Sequence, residues 1–154
     1  MPAVSFRGVT RRFPGVTALD DVSFDVLPGS CHAVCGENGA GKSTLGRILA
    51  GIQHPDGGMV ALDGVEVAFA NPRDAMRHGV AMVHQELAFC DNLSVAENLC
   101  LGALPARHGI VDRAALHARA VELLATIGAA IDPARQLARL SIAEQQLVQI
   151  AAAV

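Results

Sequence analysis

Residues 36–43 of the chain, GENGAGKS, have types and a spacing that suit the binding of phosphate. Glycines let the backbone curl so that successive N–H groups point towards anionic oxygens, at the positive end of the helix that follows. Lys42, the only lysine among twelve basic residues, is expected to reach the β- and γ-phosphates of a nucleotide, and Ser43 to ligate Mg²⁺. The expected contacts of the loop are Gly36, Asn38, Gly39, Ala40, Gly41, Lys42, Ser43 and Thr44.

Phosphate chemistry with a metal ion also needs a carboxylate, normally an aspartate at the end of an apolar strand. Residues 59–64, MVALDG, have the pattern of such a strand, with four apolar residues before Asp63. The residue after Asp63 is a glycine, however, and not a second acidic residue. An Asp-Gly pair is typical of a hairpin turn. We therefore expect Asp63 to be a turn residue, and metal ligation by Asp63 is the alternative.

The hydrophobic pattern places a strand before the phosphate loop and a helix after it. Residues 31–35 form a short apolar run that predicts a strand, and residues 42–50 have the apolar spacing of a helix. This order of strand, loop and helix makes the motif more specific. The other predicted elements are strands at 4–9, 22–27, 59–62, 65–69 and 80–83, a small helix from Pro72, a helix capped by Asp112 and a last helix that begins at Ser141.

The composition limits the class of protein. The 154 residues are enough for one compact domain or part of one, and 51% of them are hydrophobic but only 3% aromatic. The net charge is −3 and the basic residues are scattered, so no face suited to nucleic acid is predicted. Four cysteines without C-x-x-C spacing indicate neither a disulfide framework nor a zinc site. No signal peptide and no run long enough to span a membrane is present, so a cytoplasmic location is expected.

Three further motifs, taken with the loop, resemble those of the ATP-binding subunits of ABC transporters. They are RRFPGVTALDDVSFDV around Phe13, VAMVHQELAF around Gln85, and LSIAEQQ at residues 140–146. The resemblance covers essentially the whole chain and implies that Phe13 stacks on the adenine of ATP. It implies that Gln85 contacts Mg²⁺ and water and senses the membrane permease. The expected catalytic residues are therefore Lys42 and Gln85. The expected metal ligands are Ser43 and Gln85. The signature residues Ser141, Ala143 and Glu144 would face ATP held by an opposing subunit.

The same resemblance implies an architecture and a set of partners. The fold class is α/β, a P-loop NTPase of the ABC ATPase type with an antiparallel β subdomain and part of a helical subdomain, truncated before the Walker B strand. The chain is one partial nucleotide-binding domain, residues 1–154, with the β subdomain and loop core at 1–84, the helical subdomain at 85–140 and the signature helix at 141–154. Within the family, the motifs look most like importers of monosaccharides such as ribose, galactose and xylose. The implied partners are transmembrane permease subunits, a second nucleotide-binding domain and, indirectly, a periplasmic solute-binding protein, at the inner face of the cell membrane.

Several of these interpretations have alternatives. Phe13 could be a core residue and Gln85 an ordinary strand cap, while Ser141 and Glu144 have the S-x-x-E spacing of a helix capping box, which is compatible with a signature role. The signature departs from the usual L-S-G-G-Q at Ile142, Ala143 and Glu144. No apolar strand ending in Asp-Glu occurs in the chain, so the chain alone is expected to bind ATP without hydrolysing it. The alternative functions are a non-hydrolysing nucleotide-binding module, or another P-loop enzyme such as a small-molecule kinase that uses Asp63 as its acid.

Overall fold

The N-terminal part of the chain is built on an antiparallel sheet of four strands. The computed structural model describes residues 1–83 and 89–153, and the chain divides into two units, Met1–Met82 and Val83–Val154. In the first unit the strands lie side by side in the order β2, β1, β3, β4. Their bounds are β1 Val4–Phe13, β2 Val16–Val26, β3 Gly57–Leu62 and β4 Val65–Val67.

The sheet packs its apolar face against the helix that follows the phosphate loop. This helix, α1, runs over Lys42–Leu49, and Leu45 and Ile48 lie on its buried face. Burying these side chains against the sheet is what holds a helix of only eight residues, since helices of this length are not stable alone. The buried cluster consists of Phe6, Val9, Leu19, Leu45, Ile48 and Val60. The predicted helix at 42–50 is therefore confirmed, and its interior face anchors the loop to the sheet.

The turn between β3 and β4 confirms the hairpin interpretation of Asp63. Leu62 pairs with Val65, and the two turn residues, Asp63 and Gly64, have φ angles of 46° and 78°. Two consecutive positive φ angles are typical of the tight turn that Asp-Gly favours. A second helix, α2 (Pro72–Arg77), is capped by the side chain of Asn71, which accepts a hydrogen bond from the Asp74 N–H.

Two predicted strands of the first unit are wrong. Residues 31–35 and residues 80–83 are in no strand of the structure, and Cys31 and Cys35 are exposed. A strand forms only where neighbouring strands accept and donate its backbone hydrogen bonds. Among the described residues no strand pairs with either segment, so their apolar character alone does not make them strands.

The second unit is mainly helical. Its helices are α3 (Val95–Leu99), α4 (Arg113–Thr126) and α5 (Ile142–Ala152), with a short hairpin of β5 (Ala106–Arg107) and β6 (Ile110–Val111) and a 3-10 turn at Leu137–Arg139. The Asp112 side chain accepts a hydrogen bond from the Ala115 N–H at 3.0 Å, which confirms the predicted cap of α4. The main buried cluster consists of Val95, Leu124, Ile131, Leu137, Leu140, Val148 and Ala151. None of the described helices is long and apolar enough to cross a membrane.

Candidate nucleotide-binding site

Lys42 begins α1 and folds its side chain back over the loop before the helix. Its Nζ donates hydrogen bonds of 2.6 Å to the carbonyl oxygens of Gly36 and Glu37. An ammonium group has three donors, so one is left for a ligand of the loop. The two carbonyls therefore hold the positive charge in the place where the sequence predicts phosphate.

The N-terminus of α1 is not capped by a side chain of the described residues. Gly41 is the N-cap residue, and no side chain accepts a hydrogen bond from the first turn. The first N–H groups of a helix have no partner within the helix, and the helix dipole places partial positive charge at this end. Together with Lys42, the first turn of α1 gives the loop a positive surface of hydrogen-bond donors, which suits a phosphate group.

Gly41 also determines how closely the loop approaches the sheet. Its φ angle is 82°, and a Cβ atom at this position would overlap the carbonyl oxygen of Ala18 and lie 2.7 Å from Cδ2 of Leu19. Any other residue would be strained in this conformation and would push the loop away from β2. The glycine thus holds the loop against the strand, while residues 36–40 stay exposed to solvent.

Two hydroxyl side chains follow Lys42 and differ in their surroundings. Ser43, the predicted Mg²⁺ ligand, is exposed, whereas Thr44 is buried. Among residues 1–83 and 89–153, no three His, Cys, Asp or Glu side chains come together as a metal-binding group. The loop thus presents one exposed hydroxyl, that of Ser43, to a metal ion, and no cluster of carboxylates lies beside it among the described residues.

Phe13, the predicted adenine-stacking residue, ends β1 and is partly exposed. Its backbone pairs with Val16 at the start of β2, so the ring lies at the tip of the β1–β2 hairpin. About 36% of the residue is exposed, which excludes the alternative of a buried core phenylalanine. The guanidinium carbon of Arg11 lies 5.1 Å from the centre of the Phe13 ring.

The predicted signature residues lie at the start of α5 in the second unit. Ser141 is the N-cap: its hydroxyl accepts a hydrogen bond from the Glu144 N–H at 3.3 Å, and the Glu144 carboxylate accepts one from the Ser141 N–H at 2.7 Å. The predicted capping box is therefore confirmed. Ala143 and Ile142 are exposed on the first turn. Gln85, the other predicted catalytic and metal-binding residue, lies outside the described residues.

Glu144 is also paired with a cation that the sequence did not predict. Arg135 lies 2.8 Å from the Glu144 carboxylate and donates a second hydrogen bond to the Arg139 carbonyl at 3.0 Å. The hydrogen bonds from the Ser141 backbone and hydroxyl, together with that from Arg135, lower the pKa of Glu144 below its usual value. The charge of Glu144 at the signature is thus offset by Arg135.

The two ion pairs beside predicted site residues were missed for the same reason. Arg11 pairs with Asp56 across 45 positions, and Arg135 pairs with Glu144 across nine. Neither spacing lies within one turn of a helix or one hairpin, where charge pairs leave a local pattern. The capping box, in contrast, joins Ser141 and Glu144, which are three positions apart, so its S-x-x-E spacing is visible in the sequence.

The chain is similar to a large family of known sequences. The sequence model described as "ABC transporter" matches residues 19–154. An arabinose import ATP-binding protein of Chromohalobacter salexigens is 51% identical over 146 residues, which are 94% of this chain and 29% of the relative. A ribose import ATP-binding protein of Rubrobacter xylanophilus is 50% identical over 152 residues, which are 99% of this chain and 31% of the relative. The chain therefore spans about three tenths of the length of these relatives.

The fold is similar to that of solved structures. A nucleotide-free ATP-binding cassette from an ABC transporter superposes with a TM-score of 0.84 at 24% identity, over 99% of this chain and 64% of that one. Another such cassette, in its ADP conformation, gives a TM-score of 0.81 at 24% identity with the same coverage. At this identity the likeness concerns the fold alone, and it confirms the predicted α/β class with an antiparallel sheet.

Proposed function

Because the chain belongs to the ABC transporter family, we propose that it binds ATP with Mg²⁺ at residues 36–44 and serves as the ATP-binding part of a sugar importer. The observation that carries the proposal is the arrangement of the loop: Lys42 is held over it, and the first turn of α1 is left without a side-chain cap. An anion with several oxygens suits these donors better than a neutral ligand does.

The residues present fit a nucleoside triphosphate. The uncapped N–H groups at the start of α1 and the third donor of Lys42 would hold the phosphates. The exposed Ser43 hydroxyl would ligate Mg²⁺, and Phe13 at the tip of the β1–β2 hairpin would stack on the base. Bound ATP supplies a γ-phosphoryl group whose transfer to water releases free energy. This chain holds and orients the nucleotide, and we do not expect it to hydrolyse ATP alone.

The transported solute is proposed to be a monosaccharide. This rests on the relatives, which include import ATP-binding proteins for arabinose and for ribose. An Agrobacterium fabrum relative, 50% identical over 149 residues, carries the name of a ribose, galactose and methyl galactoside importer. The partners proposed for such an importer are transmembrane permease subunits, a second nucleotide-binding domain and, indirectly, a periplasmic solute-binding protein. Within such a transporter, the proposed location of this chain is the cytoplasmic face of the cell membrane.

Within this assembly, the signature residues Ser141, Ala143 and Glu144 would face the γ-phosphate of ATP held by the second domain. Gln85 would link the bound nucleotide to the permease. The capping box holds the Ser141 hydroxyl and the start of α5 in one geometry. Arg135 offsets the Glu144 carboxylate, which would otherwise repel an approaching phosphate.

Sugar uptake by cells that produce the complete transporter containing this chain tests the proposal. We expect labelled arabinose, ribose or galactose to enter the parent cells and Lys42→Ala to reduce uptake at least tenfold. Arg47→Ala is the matched control, because it removes a positive charge from the exposed far end of α1, and uptake should be retained. If none of the three sugars enters faster than in cells without the transporter, the sugar assignment is wrong. If Lys42→Ala transports as the parent does, the loop assignment is wrong.

A further inference from the structure

Arg11 stands between a carboxylate and the aromatic ring at the tip of the β1–β2 hairpin. One of its terminal nitrogens, Nη1, lies 2.6 Å from Oδ1 of Asp56, and its guanidinium carbon lies 5.1 Å from the centre of the Phe13 ring. Arg11 and Phe13 are two positions apart on β1, so their side chains emerge on the same side of the strand. The Arg11 Nε is buried and has no hydrogen-bond partner among the described residues. The ion pair with Asp56 and the contact with the ring thus both help to place the guanidinium.

Asp56 is itself fixed in position by the end of β1. Its Oδ2 accepts a hydrogen bond from the Arg12 N–H at 2.6 Å, and its own N–H donates to the Thr10 carbonyl at 2.8 Å. The backbone hydrogen bond from Arg12, and then the charge of Arg11, lower the pKa of Asp56. The carboxylate therefore stays ionised at neutral pH, with one oxygen on the backbone of β1 and the other on Arg11.

The hairpin tip lies beside the phosphate loop. Gly41 abuts Ala18 of β2 so closely that a side chain would not fit, and Ala18 is two residues from Val16, which pairs with Phe13. At about 3.3 Å per residue along a strand, the Phe13 backbone lies within roughly 10 Å of this contact. A nucleotide with its phosphates in the loop has its base at a comparable distance from them.

We propose that Arg11 and Asp56 form a clamp that holds the Phe13 ring in place to stack on the adenine base, which makes Arg11 a positioning residue for the base. The inference rests on the proposed function. The guanidinium covers one part of the ring through a cation–π contact, and the exposed remainder is left for the base. A ring held in its binding orientation before the nucleotide arrives loses less conformational freedom on binding.

Calorimetric titration of the chain with ATP and with tripolyphosphate, both with Mg²⁺, tests the clamp. Tripolyphosphate has the phosphates but no base, so it reports on the loop alone. Arg11→Met and Asp56→Asn should each weaken ATP binding about two- to fivefold, the range expected from one exposed cation–π contact, and should leave tripolyphosphate binding unchanged. Arg11→Lys should lose less than Arg11→Met, because an ammonium can still pair with Asp56 and contact the ring. Arg12→Met is the matched control: it removes the same charge from the neighbouring exposed residue and keeps the backbone N–H that binds Asp56.

Five results would overturn the inference. Unchanged ATP affinity in Arg11→Met and Asp56→Asn would show that the clamp does not act on the base, and an equal loss for both ligands would show a general structural role. An equal loss in Arg12→Met would assign the effect to net charge. Failure of the proposed function is distinguishable, because a parent chain that binds neither ligand overturns the nucleotide site and the clamp together. A parent that binds both ligands equally tightly overturns the contribution of the base, and with it the clamp, but leaves the assignment of the phosphate loop in place.

Discussion

Glu144 is held at the start of α5 by two neighbouring residues. With Ser141 it exchanges the reciprocal hydrogen bonds of a capping box. A negative charge at this position would repel an approaching phosphate, but Arg135 lies 2.8 Å from the Glu144 carboxylate and offsets the charge. The 3-10 turn at Leu137–Arg139 brings Arg135 back towards the helix start, and such a turn is not apparent from residue types. The remaining departures from the predicted signature are therefore steric, and they are the side chains of Ile142 and Ala143.

Ala143→Gly should speed the ATPase cycle of the complete transporter. Ala143 is exposed on the first turn of α5, where the proposed second domain presents its γ-phosphate, and a methyl group there hinders close approach of the backbone. The same change should lower the free energy of unfolding by up to about 1 kcal/mol, since alanine favours a helix more than glycine does. Steady-state ATP hydrolysis with the permease present, together with urea unfolding, measures both effects.

Ala152→Gly is a matched control for Ala143→Gly, because it makes the same change at the exposed last turn of α5. It should leave the hydrolysis rate unchanged. An unchanged or slower rate in Ala143→Gly, with the helix destabilised, would show that Ala143 serves only the helix. A gain of equal size in Ala152→Gly would point to helix flexibility rather than to the signature contact.

Among the structural elements, several with local signals were predicted, whereas two apolar segments that were predicted as strands lack the neighbouring strands that they need. The loop with α1, the Asp63-Gly64 hairpin turn and the caps at Asp112 and Ser141 each depend on residues within a few positions of one another. The segments 31–35 and 80–83 have the apolar character of strands, but a strand also needs neighbours from elsewhere in the chain. The β5–β6 hairpin escaped prediction because its strands have only two residues each, too few for an alternating pattern.

The segment before α3 depends on one buried side chain, Asn98. Its side chain accepts a hydrogen bond from the Cys90 N–H at 2.9 Å and donates to the carbonyls of Cys90 and Ser94 at 3.0 Å each. Asn98→Ala would leave the Cys90 N–H without its partner, while the carbonyls of Cys90 and Ser94 would keep only their hydrogen bonds from the Leu93 and residue 98 N–H groups. We therefore expect it to lower the free energy of unfolding by about 1 to 3 kcal/mol. Urea unfolding followed by circular dichroism measures the change.

Asn92→Ala is the control for Asn98→Ala, since Asn92 is exposed in the same segment. Its effect should stay within about 0.5 kcal/mol. Equal stabilities of Asn98→Ala and Asn92→Ala would show that the hydrogen bonds of Asn98 do not hold the segment.

At the scale of the whole molecule, the predicted residues belong to two units. The phosphate loop and Phe13 lie in Met1–Met82, and the signature residues lie in Val83–Val154. The phosphate loop is complete within the first unit, with its lysine, its uncapped helix and its close contact with β2. The proposed role of the signature residues involves a nucleotide held by a second domain. We therefore expect the first unit to bind the phosphates of ATP through Lys42.

Calorimetric titration with ATP and Mg²⁺, in which the parent is compared with Lys42→Ala and Arg47→Ala, measures what Lys42 contributes to phosphate binding. A charge-assisted hydrogen bond contributes roughly 1.5 to 3 kcal/mol, so Lys42→Ala should weaken ATP binding about tenfold to a hundredfold. Arg47→Ala, which removes an equal charge from the other end of α1, should bind within about twofold of the parent. Equal affinities of Lys42→Ala and the parent for ATP would show that Lys42 does not hold the phosphates.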